Sequence, residues 1–189
     1  MKKAILIHGW SEKEDFFNMS IPSDSNNHWF PWIQKNLSVK GYNCQTPEMP
    51  NGYEPNYEVW KNTFENLKPD EYTTLIGHSC GGGFLVRWLS ENDVKVGKVI
   101  LVAPWIDPEK NNIDPNFFDF EIDENIQDKT CGLTMIYSDN DYEDVMMSVD
   151  ELRNKLKGIK LLELKGKGHF INSSLGKVEF PELLEEILS

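Results

Sequence analysis

The stretch Leu75-Ile76-Gly77-His78-Ser79-Cys80-Gly81 sets a serine between two glycines, where an apolar run gives way to a helical pattern. G-x-S-x-G between a strand and a helix is the pattern of a nucleophile held on a strained turn. The turn lifts the hydroxyl clear of the sheet. Side chains two residues to either side would clash, so glycine is needed there. The helix that follows aims its free N–H groups and positive dipole end at the reacting centre. The plainer alternative is a glycine-rich turn whose serine caps a helix; the strand–turn–helix context favours the chemical reading.

A serine hydroxyl attacks only when a base takes its proton, so Ser79 needs a histidine and a carboxylate. On a parallel sheet these follow in the order Ser, Asp, His, each after a later strand. Ser138-Asp139-Asn140-Asp141 follows one strand candidate, and Gly166-Lys167-Gly168-His169-Phe170 follows the last. Among four histidines, His169 is the expected base. His78 should point away from Ser79 and bond locally, His8 belongs to the loop after the first strand, and His28 opens a helix or lines a pocket. Asp141 is the expected acid, because the helix packing beneath that loop begins close after it. Asp139 stays the alternative, and Asp144 reads as a solvated acidic turn. An oxyanion hole needs two backbone N–H groups. Cys80, directly after the nucleophile, supplies one, and Trp10, aimed by the turn at Gly9, supplies the other. The Cys80 thiol should then face away as a small packing group.

These positions require a scaffold of parallel strands with crossover helices. Strands are expected over 4–8, 43–45, 73–76, 98–103, 134–137 and 160–164, and helices over 28–40, 57–67, 82–91, 145–157 and 181–188. The runs Ile5-Leu6-Ile7 and Val99-Ile100-Leu101-Val102 are apolar on both faces, as doubly covered strands are. Two stretches break the alternation. One is the polar segment 11–27; the other is the acidic segment 104–131, which carries Trp105, Phe117, Phe118 and Phe120. Connections of that length in compact domains are usually functional or disordered. The chain, residues 1–189, reads as one domain.

The 189 residues carry 19 Lys and Arg against 31 Asp and Glu, a formal net charge of −12. That balance repels nucleic acid and anionic membranes, so neither is expected as a partner. Two lysines precede a short apolar run at the N-terminus, too short for a signal peptide core. The 3 cysteines, Cys44, Cys80 and Cys131, are widely spaced and fit reduced thiols in the cytoplasm rather than a disulfide framework or zinc site.

The sequence resembles the small serine hydrolases of the retinoblastoma-binding-protein-nine, or YdeN-like, type in the α/β-hydrolase superfamily. The resemblance runs through Ile7-His8-Gly9-Trp10, Asn27-His28-Trp29-Phe30-Pro31-Trp32, Met49-Pro50-Asn51, Gly77-His78-Ser79, Ser138-Asp139-Asn140-Asp141 and Gly168-His169-Phe170. It implies a compact α/β-hydrolase fold: a three-layer sandwich with a mostly parallel central sheet and no large lid domain. It also places the triad acid on Asp141 and implies an ester- or amide-cleaving activity. The chain departs from the family at Gly81-Gly82-Gly83, expected to loosen the helix start, and at Tyr142, where proline is common. Leu67-Lys68-Pro69-Asp70-Glu71 lacks the cysteine of the retinoblastoma-binding pattern, so that function is not carried over.

The expected activity is hydrolysis of a small-molecule acyl ester without metal or cofactor, with a thioesterase or amidase using the same groups as a variant. A binding protein that keeps the fold without turnover is the alternative. Gly9, His28, Trp29 and Trp105 are candidates for substrate contact, with core packing an equal reading for Trp29 and Trp32. Segment 104–131 is the candidate cover for the cleft.

Overall fold

In the computed structural model, which describes residues 2–110 and 113–189, strands run over Lys2–Ile7 (β1), Tyr42–Gln45 (β2), Thr73–His78 (β3), Lys98–Val102 (β4), Gly132–Ser138 (β5) and Lys160–Leu164 (β6). Met1, Asn111 and Asn112 lie outside the described residues, the last two inside the acidic segment 104–131. The six strands form one sheet in the order β2-β1-β3-β4-β5-β6, and every neighbouring pair is parallel. All six residues of β3 are buried, as in a strand covered on both faces, with Leu75 and Ile76 at its centre.

Helices occupy Lys13–Phe16 (α1), Phe30–Val39 (α2), Tyr57–Glu65 (α3), Cys80–Glu91 (α4), Glu143–Lys155 (α5), Asn172–Leu175 (α6) and Pro181–Leu188 (α7). Two aromatic clusters show which helices share a face. Trp60 and Phe64 of α3 meet Phe84 and Trp88 of α4 at ring separations of 4.9–5.7 Å, and Phe117 joins them. On the opposite face Trp29, just before α2, packs at 5.8 Å on Phe180, which opens α7, and Phe180 stacks on Phe170. The sheet therefore lies between two helical layers. This also settles Trp29: it is 0% exposed and stacked on Phe30, so it is a core residue and not a substrate contact.

The strand order reverses direction around β1. From β1 the chain leaves for one edge of the sheet, and from β3 it leaves for the other. The connections after these adjacent strands diverge, and a crevice opens outside their carboxyl ends. Gly9 and Ser79 both sit at that crevice.

Helix α4 begins at Cys80, two residues earlier than its glycines led us to expect. A Cβ at Gly81 would lie 2.3 Å from the His8 carbonyl oxygen, and one at Gly83 2.1 Å from the Trp105 carbonyl oxygen. The triple glycine is thus a packing requirement. It lets α4 press against the ends of β1 and the 103–105 turn, and the helix start is buried rather than loose. Helix α2 starts at Phe30, two residues later than expected, because His28 has φ +52° and cannot join a right-handed helix.

Segment 104–131 places only Trp105, among its described residues, on the cleft wall, and the rest does not form the expected cover. Its 3₁₀ turns, Pro115–Phe118 and Ile126–Lys129, drive Phe117, Phe118 and Ile126 into the core. Arg87 of α4 donates to the Phe117 carbonyl at 2.8 Å and lies 3.6 Å over the Tyr57 ring. Apolar burial outcompetes a lid role for these side chains.

At the β5–β6 end, Glu186 of α7 is 8% exposed in its side chain and accepts from Thr134 at 2.7 Å and Lys160 at 2.6 Å. Burial pushes this carboxyl up, but the Lys160 and Thr134 hydrogen bonds outweigh it and hold it below the usual glutamate range. A depressed folded-state pKa gives stability that is present above the unfolded-state value and lost as pH falls through the folded one. We expect the melting temperature to drop as pH falls below about 4, with Glu186→Gln flattening that drop and costing roughly 1–2 kcal/mol at pH 7. Thermal melts of both proteins across pH 3 to 8 measure it.

Candidate active site

Ser79 has φ 54° and ψ −124°, a backbone conformation that L-residues avoid. Its N–H donates to the Val102 carbonyl at 2.9 Å, and its own carbonyl accepts from Trp105 at 3.0 Å and Gly82 at 2.9 Å. The strain is held by β4 on one side and α4 on the other. Gly9 lies so close that a Cβ there would sit 2.9 Å from the Ser79 Cβ. The loop after β1 is thereby pressed against the nucleophile position. Among the described residues, neither the Trp10 nor the Cys80 N–H has a hydrogen-bond partner, the condition an oxyanion site must meet before substrate binds. The Trp10 ring is fixed by its Nε1–H, which donates to the Tyr53 carbonyl at 3.0 Å.

His169 reaches the same crevice from the far end of the chain. Its Nδ1 lies 2.9 Å from Asp141 Oδ1 and 3.1 Å from Oδ2. The two side chains are 12% and 1% exposed, so their attraction is little screened by water. Tyr142 N–H gives the Asp141 carboxylate a further donor at 2.7 Å. Tyr142 has φ −60°, which a proline ring would accept, but proline would remove that N–H. Asp139 plays a different part and accepts from Gly166 N–H at 2.7 Å. Lys167 N–H donates to Ser138 Oγ at 2.9 Å and Gly168 N–H to Asn140 Oδ1 at 2.8 Å. Three successive polar residues thus tie the acid loop to the histidine loop.

Ser79 and His169 line the same two cavities, although no Ser79–His169 hydrogen bond is made in this structure. Such bonds are often long before substrate binds. A small cavity of about 70 Å³ is bounded by His8, Gly9, Trp10, Asp24, His28, His78, Ser79 and His169. It adjoins a cleft of about 560 Å³ walled by Trp10, Ile21, Trp105, Tyr142 and Ile171. Glu12, Asp15, Asp24 and Asp144 also face this cleft, and no lysine or arginine is among its lining residues. Asp144 is therefore a wall residue rather than a free surface turn. Of the expected substrate contacts, Gly9, His28 and Trp105 line a cavity and Trp29 does not.

His78 does more than local packing. It is 4% exposed and its Nε2–H donates to the His169 carbonyl at 2.9 Å. Burial, reinforced by His169, holds its pKa well below the usual histidine value, so it anchors the loop as a neutral ring. Nothing in the sequence announces a bond between residues so far apart. Burial drives the Cys80 thiol well above the ordinary cysteine range, with the Asp107 charge adding to it. Cys80 lines neither cavity, as a packing residue should.

His8, Asp24 and Glu48 bring possible ligand atoms within 4.8 Å of one another. Both His8 nitrogens are already used, however. Nε2 accepts from Met49 N–H at 2.8 Å and Nδ1 donates to the Gly9 carbonyl at 2.7 Å. A metal ion would have to break the first of these, so His8 serves the turn that carries Gly9 and Trp10.

A strained serine at the switch point of a wholly parallel sheet, with a paired imidazole and carboxylate beside it, defines an α/β-hydrolase fold. The ydeN gene product of B. subtilis shares it with a TM-score of 0.76 at 23% identity, covering 100% of this chain and 97% of that one. Est1E from Butyrivibrio proteoclasticus shares it at 0.67 and 16%, covering 99% and 86%. The chain belongs to the serine hydrolase family, whose model matches residues 4–188. The protein YdeN of Bacillus subtilis (strain 168) is 31% identical over 106 residues, which is 54% of this chain and 50% of that relative. That match spans about half of the curated relative's length.

The two acidic residues of the loop should separate cleanly. Asp141→Asn is expected to slow fluorophosphonate labelling of Ser79 by about 10³-fold or more, because the imidazole loses its anchoring charge. Asp139→Asn, which touches only the Gly166 N–H, should slow it by less than about tenfold. Labelling rates followed by intact-protein mass spectrometry give both numbers.

Proposed function

We propose that this chain hydrolyses a small-molecule carboxylic ester by acyl transfer. His169 Nε2 takes the Ser79 proton as Oγ attacks the acyl carbon, and Asp141 holds Nδ1–H and steadies the imidazolium. The Trp10 and Cys80 amides receive the charge that develops on the carbonyl oxygen. His169 then returns the proton to the leaving alcohol. Water, deprotonated by the same imidazole, attacks the acyl-enzyme and releases the acid. The observation that carries this reading is the 2.9 Å contact between His169 and the almost fully buried Asp141, facing a cleft that also holds strained Ser79. No step needs a metal or cofactor. A buried carboxylate hydrogen-bonded to an imidazole beside an open cleft has no evident use in a pure binding protein. The three unpaired cysteines fit a reducing compartment, and we assign the chain to the cytoplasm on that basis.

The charge of the cleft bears on the substrate. Four carboxylates and no cationic side chain line it, so an anionic acyl group meets repulsion at short range. Ser79→Ala should abolish fluorophosphonate labelling and lower ester turnover by about 10⁴-fold or more. Against the unsubstituted protein, a succinyl ester should show about tenfold lower kcat/KM than a butyryl ester of the same alcohol, the gap narrowing as salt is raised. Absence of labelling in the folded parent chain would overturn the enzyme reading. Equal kcat/KM for the two esters would overturn the charge argument alone.

A further inference from the structure

His28 holds a place that the chemistry above does not use. It has φ +52°, and its N–H is captured by the Asn27 side chain at 2.8 Å. The next residue, Trp29, is driven into the core, so the left-handed turn sends neighbouring rings to opposite destinations. The His28 ring lines both the small cavity and the cleft, alongside Ser79 and His169. Backbone strain of this kind persists only where the surroundings enforce it, and it gathers at working sites.

The hydrogen bonds also fix the ring's protonation. Nδ1 accepts from Asn172 N–H at 3.2 Å, so the ring proton resides on Nε2. Protonating Nδ1 would set two donors against each other. Burial, followed by the nearby His169, lowers the His28 pKa in the same sense. Among the described residues Nε2 makes no hydrogen bond and is not fully buried, in a residue that lines both cavities.

Resting on the hydrolase reading, we infer that His28 is a catalytic residue: a neutral, tautomer-locked donor whose Nε2–H hydrogen-bonds the reacting oxygen of the substrate beside Ser79. It adds a side-chain donor to the two backbone donors of Trp10 and Cys80. A neutral imidazole suits this role, since it donates without becoming a competing acid near His169.

A competing explanation is that His28 only positions the His169 loop through Asn172. Two substitutions separate these roles. His28→Asn keeps an acceptor where Nδ1 stands, tolerates φ +52°, and cannot reach as far as Nε2. His28→Gln extends an amide donor to about the Nε2 position. With turnover of a nitrophenyl ester as readout, and melting temperatures confirming the fold, His28→Asn should lose about 10²-fold in kcat with little change in KM. His28→Gln should recover at least about tenfold of that loss. Near-parent kcat in His28→Asn, equal losses in both variants, or a loss confined to KM would each overturn the assignment. Those results in a parent protein that labels at Ser79 leave the hydrolase reading standing. A parent protein that neither labels nor turns over ester overturns both.

Discussion

Close backbone approach around Ser79 is the constraint on which the site depends. Gly81 lets α4 lie against the last carbonyls of β1, Gly83 lets it lie against the Trp105 carbonyl, and Gly9 brings the β1 loop onto the serine itself. These contacts fix a conformation that would otherwise relax, at a cost on the order of 1–3 kcal/mol for a residue at such φ and ψ. The same contacts hold the Ser79 turn and the β1 loop that carries Trp10 against one another, and the Trp10 and Cys80 amides remain unpaired among the described residues. Nucleophile geometry and charge stabilisation are therefore one packing problem.

The histidine presents the opposite problem, since it must be held in place without becoming rigidly committed. Its loop is gathered by Ser138, Asp139 and Asn140 on one side and by the His78 ring beneath. Each bond ends on backbone, which leaves the His169 imidazole bound only to Asp141 and otherwise free to face the cleft. A neutral His78 achieves this without placing a positive charge beside His169. Occupied ring nitrogens set His8 and His78 apart as anchors, while His28 and His169 are each held through Nδ1 and keep Nε2 unpaired.

Much of this was legible in the sequence. The glycine spacing around Ser79, the apolar doubling of β1 and β4, and the short polar run after β5 each have one good structural solution. Which of Asp139 and Asp141 contacts the imidazole is visible only in the folded loop, because both side chains accept hydrogen bonds there and only Asp141 reaches His169. Trp29 and the phenylalanines of segment 104–131 were harder, since an aromatic near a motif is equally at home in a core or a pocket. Their burial follows from which helices share a face, and local patterning does not carry that information. Segment 11–27 stood out as breaking the alternation, and it does supply cleft residues, including Ile21 and Asp24. Its contribution depends on a turn back across the β1 loop that composition alone does not describe.

That segment joins β1 to α2 and is fastened outside the sheet, by Ser11 to the Gly52 carbonyl and by Ser25 to Glu48. The Ser79 turn, by contrast, is wedged between backbones that leave no room for a Cβ at Gly81 or Gly83. A substitution in segment 11–27 therefore alters the cleft wall while leaving in place the contacts that hold the Ser79 backbone. Laboratory reshaping of the cleft has a natural place to begin there, away from the tightly packed turn.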